Sequence, residues 1–331
     1  MALPSRQEGF REGRGWGRIP PVLLHGGGTP QKENMRTLYK YYKSLPDDYL
    51  LNPTLKLACP EHLNDPFESS ISKLISEIPE QVDTRLEYFK AIVNNAGLSR
   101  SLSNTGVISM SETHRNLLMW AHYANEHKGF VIGYKDDILN DKFNERISNI
   151  HNISKKPLKV NYDTVRFDSK SEREHIDSHK KAIRKILTTK GDDWIYEKEH
   201  RYLIPIYLAD TIDGNEGSED IINALISKDL LVKDDANKNL FFKDRFTEEP
   251  YLIGRLEAET YELIKTKHNF YINIDPSHIT SIYFGCRYPK PLRLKWLELI
   301  RDHSEILSHI KLYQYDISKS DFSLIYEDYE A

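Results

Sequence analysis

Apolar and polar residues alternate through Thr37-Leu38-Tyr39-Lys40-Tyr41-Tyr42, which predicts a strand. Leu55-Lys56-Leu57-Ala58-Cys59 predicts a second, running into the turn Leu63-Asn64-Asp65-Pro66-Phe67-Glu68, where Asn and Asp cap their own backbone and Pro fixes φ. Residues 71–98 carry helical spacing, with Ile71, Leu74, Ile75, Ile78, Leu86, Phe89, Ile92 and Val93 as core positions and Pro79 dividing two helices. Val107-Ile108-Ser109-Met110-Ser111 is a strand leading to Leu117, Leu118, Trp120, Ala121 and Ala124, which recur as on a helix. After Gly129 the run Phe130-Val131-Ile132-Gly133-Tyr134 predicts a buried strand.

The second half repeats this mixture. Lys159–Tyr162 reads as a strand, and Ser171–Lys190 as a charged helix that Gly191 caps. Residues 194–206 read as one long strand; on it Glu197, Glu199 and Arg201 share a face, and Trp194, Tyr196, Lys198 and His200 the other. A helix at 216–231 precedes a poorly patterned stretch, 232–268, with a strand at 260–265. Strands at 270–274 and 279–285, a helix at 291–309 and a strand at 310–317 close the chain. No linker or repeat divides the sequence after Met35. One α+β domain over 35–331 is expected, a mixed, largely antiparallel sheet flanked by helices.

Residues 1–34 differ: Arg6, Arg11, Arg14 and Arg18 are interspersed with Gly9, Gly13, Gly15 and Gly17. They are expected to be a disordered or non-native leader, whose Gly/Arg composition is a weak pointer to nucleic acid. Gly26-Gly27-Gly28 lacks the Gly-Lys-Ser/Thr of a phosphate loop. A formal net charge of −4 over 331 residues gives no general reason to expect nucleic-acid or membrane affinity. Two distant cysteines, Cys59 and Cys286, argue against a disulfide framework and for a cytoplasmic protein. No run approaches the roughly 18–20 apolar residues of a membrane-spanning helix.

Several short segments stand together in one order: Leu38–Tyr41, Asn64–Phe67, Ser109 to Phe130 (Ser-x-Ser, then Leu-Met-Trp-x-His-Tyr-Ala-x-x-His-Lys-Gly-Phe), residues 194–201 (Trp-x-Tyr-Glu-Lys-Glu-x-Arg) and Phe284–Arg287. In these the chain resembles a bacterial family, the domain of unknown function 2971. His200 departs from the pattern, where an apolar aromatic such as Trp is more usual. The resemblance implies a shared fold and no established activity, so function rests on the residues.

Residues 119–133 gather Trp120, His122, Tyr123, His127 and Lys128 where helix gives way to strand. These groups are either core and satisfied packing, or one wall of a ligand site; burying them unpaired would cost about 1–3 kcal/mol each. The acids Glu197 and Glu199 with Arg201 are either a solvated sheet face, where ion pairs contribute about 0–1 kcal/mol, or the opposite wall of a cleft. The expected cleft is built by Asn64, Asp65, Ser109, Ser111, Trp120, His127, Lys128 and Arg201 as ligand-binding residues, with Glu199, Glu197, His122 and Tyr123 as catalytic ones. The spacing of His122 and His127 suits no zinc site, and a Ser nucleophile elbow is absent.

The remaining enzymatic reading is an NAD-cleaving ADP-ribosyl transfer, by analogy with folds whose sites combine a polar early-strand residue, a Ser/Tyr segment and a late-strand Glu. Lys40 or Tyr41, the segment from Ser109 to Tyr123, and Glu197 or Glu199 occur in that order. NAD is then a substrate. The Glu would stabilise an oxocarbenium-like transition state, and Tyr123 or Trp120 would stack nicotinamide. The alternative is a non-catalytic module for an anionic ligand, or a protein-interaction domain.

Overall fold

The computed structural model describes residues 36–70, 96–165, 179–213, 219–234 and 239–329, all within one compact unit, Met35–Ala331. The expected leader and the positions at 71–95 lie outside the described residues. The strands in chain order are β1 (Thr37–Tyr42), β2 (Thr54–Lys56), β3 (Thr105–Ser111), β4 (Phe130–Lys135), β5 (Leu158–Lys159), β6 (Asn161–Asp163) and β7 (Thr189–Gly191). They continue with β8 (Glu199–Pro205), β9 (Thr211–Asp213), β10 (Leu231–Asp234), β11 (Asn239–Phe242), β12 (Asn269–Asn273), β13 (Ile279–Phe284), β14 (Lys311–Ile317) and β15 (Leu324–Asp328).

Eight strands form the main sheet in the order β15-β14-β13-β4-β1-β3-β8-β5, antiparallel except where β13 runs parallel to β14. A second sheet, β2-β12-β9, docks against it: Ala58 exchanges backbone hydrogen bonds of 2.9 Å each way with Val107 of β3. Helices flank the sheets, so the architecture is the expected single α+β domain with a mixed sheet. Strand burial follows the apolar pattern: Phe130, Val131, Ile132 and Tyr134 of β4 are all within 2 % of full burial. One break in the pairing positions the cleft. β1 pairs with β4 along its whole length and β3 with β8 over seven residues, yet β1 and β3 pair in register only at Tyr39 and Ser111. Beyond that point they part.

Several sequence expectations are corrected. The long strand at 194–206 is two elements: a 3₁₀ turn, Asp192–Glu197, then β8, with Lys198 between them at φ 47°. Gly191 does not end the preceding helix, which spans His179–Leu187; it lies in β7 with φ −58° and stands at the N-terminal cap position of the 3₁₀ turn that follows. Residues 260–265 are the end of a helix, Pro250–Lys265, whose buried Leu256, Thr260, Leu263 and Ile264 follow a helical period rather than an alternating one. The closing helix breaks at His303 into Lys290–Asp302 and Ser304–Leu307. β15 and the β10–β11 hairpin were not expected from the pattern.

Candidate functional site

The family-like segments before and after Gly129 first make a joint. The helix Leu117–Tyr123 is capped by Asn116, whose side chain accepts from the N–H groups of Leu118 and Met119. Three successive non-glycine residues then adopt positive φ: Asn125 at 49°, Glu126 at 54° and His127 at 67°. This left-handed turn returns the chain to β4, with the N–H of His127 donating to the Trp120 carbonyl at 3.2 Å and that of Gly129 to Ala124 at 2.8 Å. Phe284–Arg287 closes over it: the N–H of Gly285 donates to Gly129 and that of Arg287 to His127, at 3.0 and 3.1 Å. A Cβ on Gly129 would sit 2.2 Å from the Tyr42 carbonyl, and one on Gly285 would sit 2.1 Å from that of His127. Close backbone approach is why both are glycine.

That joint decides the fate of four expected site residues. Trp120 is fully buried, its Nε1–H donating to the His114 carbonyl at 2.8 Å, so it packs the core and stacks on no ligand. His127 lies parallel to the Trp120 ring, 6.3 Å between centroids. His122 is exposed, and Lys128 is exposed beside Glu126 at 3.6 Å. None of the four lines the cleft described below.

Where β1 and β3 part, a cavity of about 430 Å³ opens. Its polar wall brings together Asn64, Ser109, Ser111, Tyr123, Glu197, Glu199 and Arg201 from the expected set, and adds Lys40, Glu68 and Lys190. Tyr41, Tyr42, Leu45, Leu63, Met119 and Tyr271 supply much of the apolar lining. Asp65 is fully buried behind this wall, where Oδ1 accepts from the Phe67 N–H at 2.8 Å and caps the short helix Pro66–Ser69. It orients Glu68 and does not line the cavity.

The sheet register explains the wall. Ser109 lies opposite Arg201 and Ser111 opposite Glu199, so two small side chains leave room for two large charged ones. The left-handed residue Lys198 swings the chain so that Glu197, off the strand, still reaches the same side as Glu199. Ser111 Oγ fixes it there by donating to the Glu197 carbonyl at 2.7 Å.

The charges interlock. Arg201 donates through Nε and Nη2 to the two oxygens of Glu199, both at 2.8 Å, and through Nη1 to Glu68 Oε1 and to the Leu187 carbonyl. Lys190 Nζ lies 2.6 Å from Glu197 Oε2, 3.4 Å from Glu199 Oε2 and 3.9 Å from Glu68 Oε2. The Tyr123 hydroxyl donates to Glu197 Oε1 at 2.6 Å and accepts from Asn64 Nδ2 at 2.7 Å. Burial opposes the charge on Glu199, but the Arg201 guanidinium outweighs it and holds the carboxyl down at about 2. Burial likewise works against Arg201 and Lys190, and their acidic partners raise both pKa values regardless. Burial raises the pKa of Glu68 despite Arg201. Lys40, half-buried, donates to the Ser109 carbonyl at 2.9 Å across the gap between β1 and β3. Desolvation lowers its pKa to about 8 against the pull of Glu199, with Lys56 adding to the fall.

Glu68 and Lys190 escaped the sequence reading. Glu68 follows directly on the Asn64–Phe67 turn, a signal that was there to use; Lys190 sits unmarked at the end of a run of lysines and arginines. Tyr162 also joins from behind, its hydroxyl accepting from the Glu199 N–H at 2.8 Å. His200, on the opposite side of β8, packs with Arg36 at 3.2 Å and Glu112 at 3.6 Å, away from the wall.

Fold and site together define a single α+β domain with a charged cleft at a sheet divergence. The family model described as Protein of unknown function (DUF2971) matches residues 119–202, a span from the Trp120 helix to the β8 wall, and the chain resembles that family. No curated protein and no solved structure matches the chain. Among the described residues, no helix is long and apolar enough to cross a membrane.

Proposed function

We propose that the cleft binds a nucleotide-type substrate and that the protein acts on NAD as an ADP-ribosyl-transferring enzyme, with Glu197 facing the reacting centre. One observation carries this reading. Three segments far apart in sequence, at Lys40, at Ser109–Ser111 with Tyr123, and at Glu197–Glu199, line one cavity, with Tyr123 and Glu197 joined at 2.6 Å. Arg201 and Lys190 are already matched by carboxylates, which leaves Lys40 and Lys56 in the lining to meet the NAD phosphates. The burial of the Glu199–Arg201 pair weighs against a solvated scaffold face.

On this reading the nicotinamide–ribose C–N bond breaks and its electron pair leaves with nicotinamide, which departs neutral. The ribose carbon accepts the oxygen of an acceptor hydroxyl, whose proton passes to Glu197. The carboxylate also stabilises positive charge developing on the ribose. The Tyr and Met lining offers an apolar slot for the ring, the part the sequence reading gave to Trp120 or Tyr123. Both cysteines are free, which favours a reducing, cytoplasmic setting.

The test is incubation of the purified protein with labelled NAD and candidate protein and nucleic-acid acceptors, following nicotinamide release and label transfer. Glu197→Gln is expected to lower turnover by about 10²–10³-fold, the magnitude of losing one preorganised electrostatic group. No release and no label from the wild-type protein, with Glu197→Gln indistinguishable from it, would sink the reading.

A further inference from the structure

The three acids of the wall are ion-paired to only two of its cations, while Lys40 donates to the Ser109 carbonyl. Glu68, Glu197 and Glu199 share Lys190 and Arg201, and the partners are divided unequally. Glu199 takes two nitrogens of Arg201, and Glu197 takes Lys190 and the Tyr123 hydroxyl. Glu68 keeps one bond, from Arg201 to Oε1. Among the described residues its Oε2 has no hydrogen-bond partner; it is buried 3.9 Å from Lys190, in a side chain that lines the cavity and is 7 % exposed. An ionised oxygen shut away from solvent without a donor is costly to bury, whereas a protonated one becomes a donor that a ligand can satisfy.

We propose that Glu68 is a neutral carboxylic acid whose Oε2 hydroxyl points into the cavity and donates to a carbonyl of the bound ligand. The ligand class is a planar, carboxamide-bearing ring. This assignment rests on the NAD reading above and deepens it, since nicotinamide carries such a group. A donor fixed in the wall would hold the leaving ring in one orientation and select rings with an acceptor at that position. The raised pKa of Glu68 agrees with the geometry. The charged groups facing it are Arg201 and Glu199 on β8 and Lys190 on β7. The neighbouring turn Pro60–His62 directs Glu61 to Ser103 Oγ at 3.0 Å and leaves His62 exposed.

Two measurements test it. In infrared difference spectra of the ligand-free protein near neutral pH, wild type minus Glu68→Gln should contain a protonated-carboxyl band. Nicotinamide affinity, by calorimetry, should weaken about tenfold in wild type as pH rises through the range in which Glu68 ionises, which burial places above that of an ordinary carboxylate. Glu68→Gln, which keeps an N–H donor, should bind with little pH dependence, and Glu68→Ala should bind about tenfold more weakly than wild type at the acid end. Absence of the band, or equal affinity of wild type and Glu68→Ala for nicotinamide, would overturn the assignment. If nicotinamide binds none of the proteins while the band is present, the carboxamide ligand falls with the NAD reading, and the neutral Glu68 is upheld by the spectrum alone.

Discussion

Arg201 is the residue on which the wall depends, because its guanidinium is almost wholly removed from water and must be paid back by its partners. Its fork matches the Glu199 carboxylate in two parallel bonds, a geometry Lys could not reproduce. Removing one partner of such a buried pair typically costs about 3–5 kcal/mol, since the other charge is left uncompensated. Glu199→Gln is therefore expected to be destabilised by that order near neutral pH in urea denaturation. The pH dependence has a definite sign. The folded-state pKa of Glu199, about 2, lies below the unfolded value of about 4.3, so its contribution is fully present above the latter. It is lost as pH falls through about 2, and the wild-type and Glu199→Gln stability curves should converge over that interval. A constant gap down to the acid limit would show that the pair is not what stabilises this strand. The sequence disclosed Glu199 and Arg201 as a pair on one strand face, because a two-residue period is enough for that. It left Glu68 hidden: the segment between Glu68 and β8 is long, and only the fold brings them together.

At the level of elements, the segment that looked most like chemistry is mostly architecture. Trp120, His127, Gly129 and Gly285 build a left-handed return that locks helix to sheet, and of the helix itself Met119 and Tyr123 reach the cleft. Polar aromatic residues at a helix–strand boundary suggested a ligand wall, since pattern alone cannot tell a side chain aimed at a cavity from one packed against a neighbouring loop. The converse error occurred at residues 194–201. Alternation predicted one strand, yet a 3₁₀ turn and a left-handed Lys198 bring Glu197 to the same wall by another route. The turn itself offers a test. Left-handed backbone costs a non-glycine residue about 1–2 kcal/mol, and Glu126, exposed with φ 54°, pays it with no buried contact in return. Glu126→Gly should raise stability by about 0.5–1 kcal/mol, the loss of its exposed Lys128 pair counting for little. Gly129→Ala, by contrast, drives a methyl group into the Tyr42 carbonyl and should destabilise markedly. A neutral Gly129→Ala in thermal denaturation would mean that β1 does not approach the turn this closely.

The whole molecule shows why the cleft lies where it does. A continuous eight-stranded sheet has no room for a ligand between hydrogen-bonded neighbours. The opening arises because β3 pairs with β1 only at its last residue, Ser111, and earlier, at Val107, pairs with Ala58 instead, which brings the smaller β2-β12-β9 sheet alongside. Thr54 and Lys56 of β2 and Tyr271 of β12 thus face the same space as Lys40 of β1 and Glu199 of β8. A ligand held there touches both sheets and the Asn64–Glu68 segment. Binding to the folded state alone stabilises it by about 2.7 kcal/mol at a ligand concentration 100 times Kd. The part of that gain expressed locally should fall on the elements that line the cavity. Amide hydrogen exchange with and without saturating NAD should therefore slow at residues 54–68 and in β12, as well as at the β7–β8 junction. The Lys290–Asp302 helix and β15, which do not line the cavity, should be unaffected. Protection confined to β3 and β8, with β2 and β12 unchanged, would mean that the ligand contacts the main sheet alone and that the sheet divergence is not its seat.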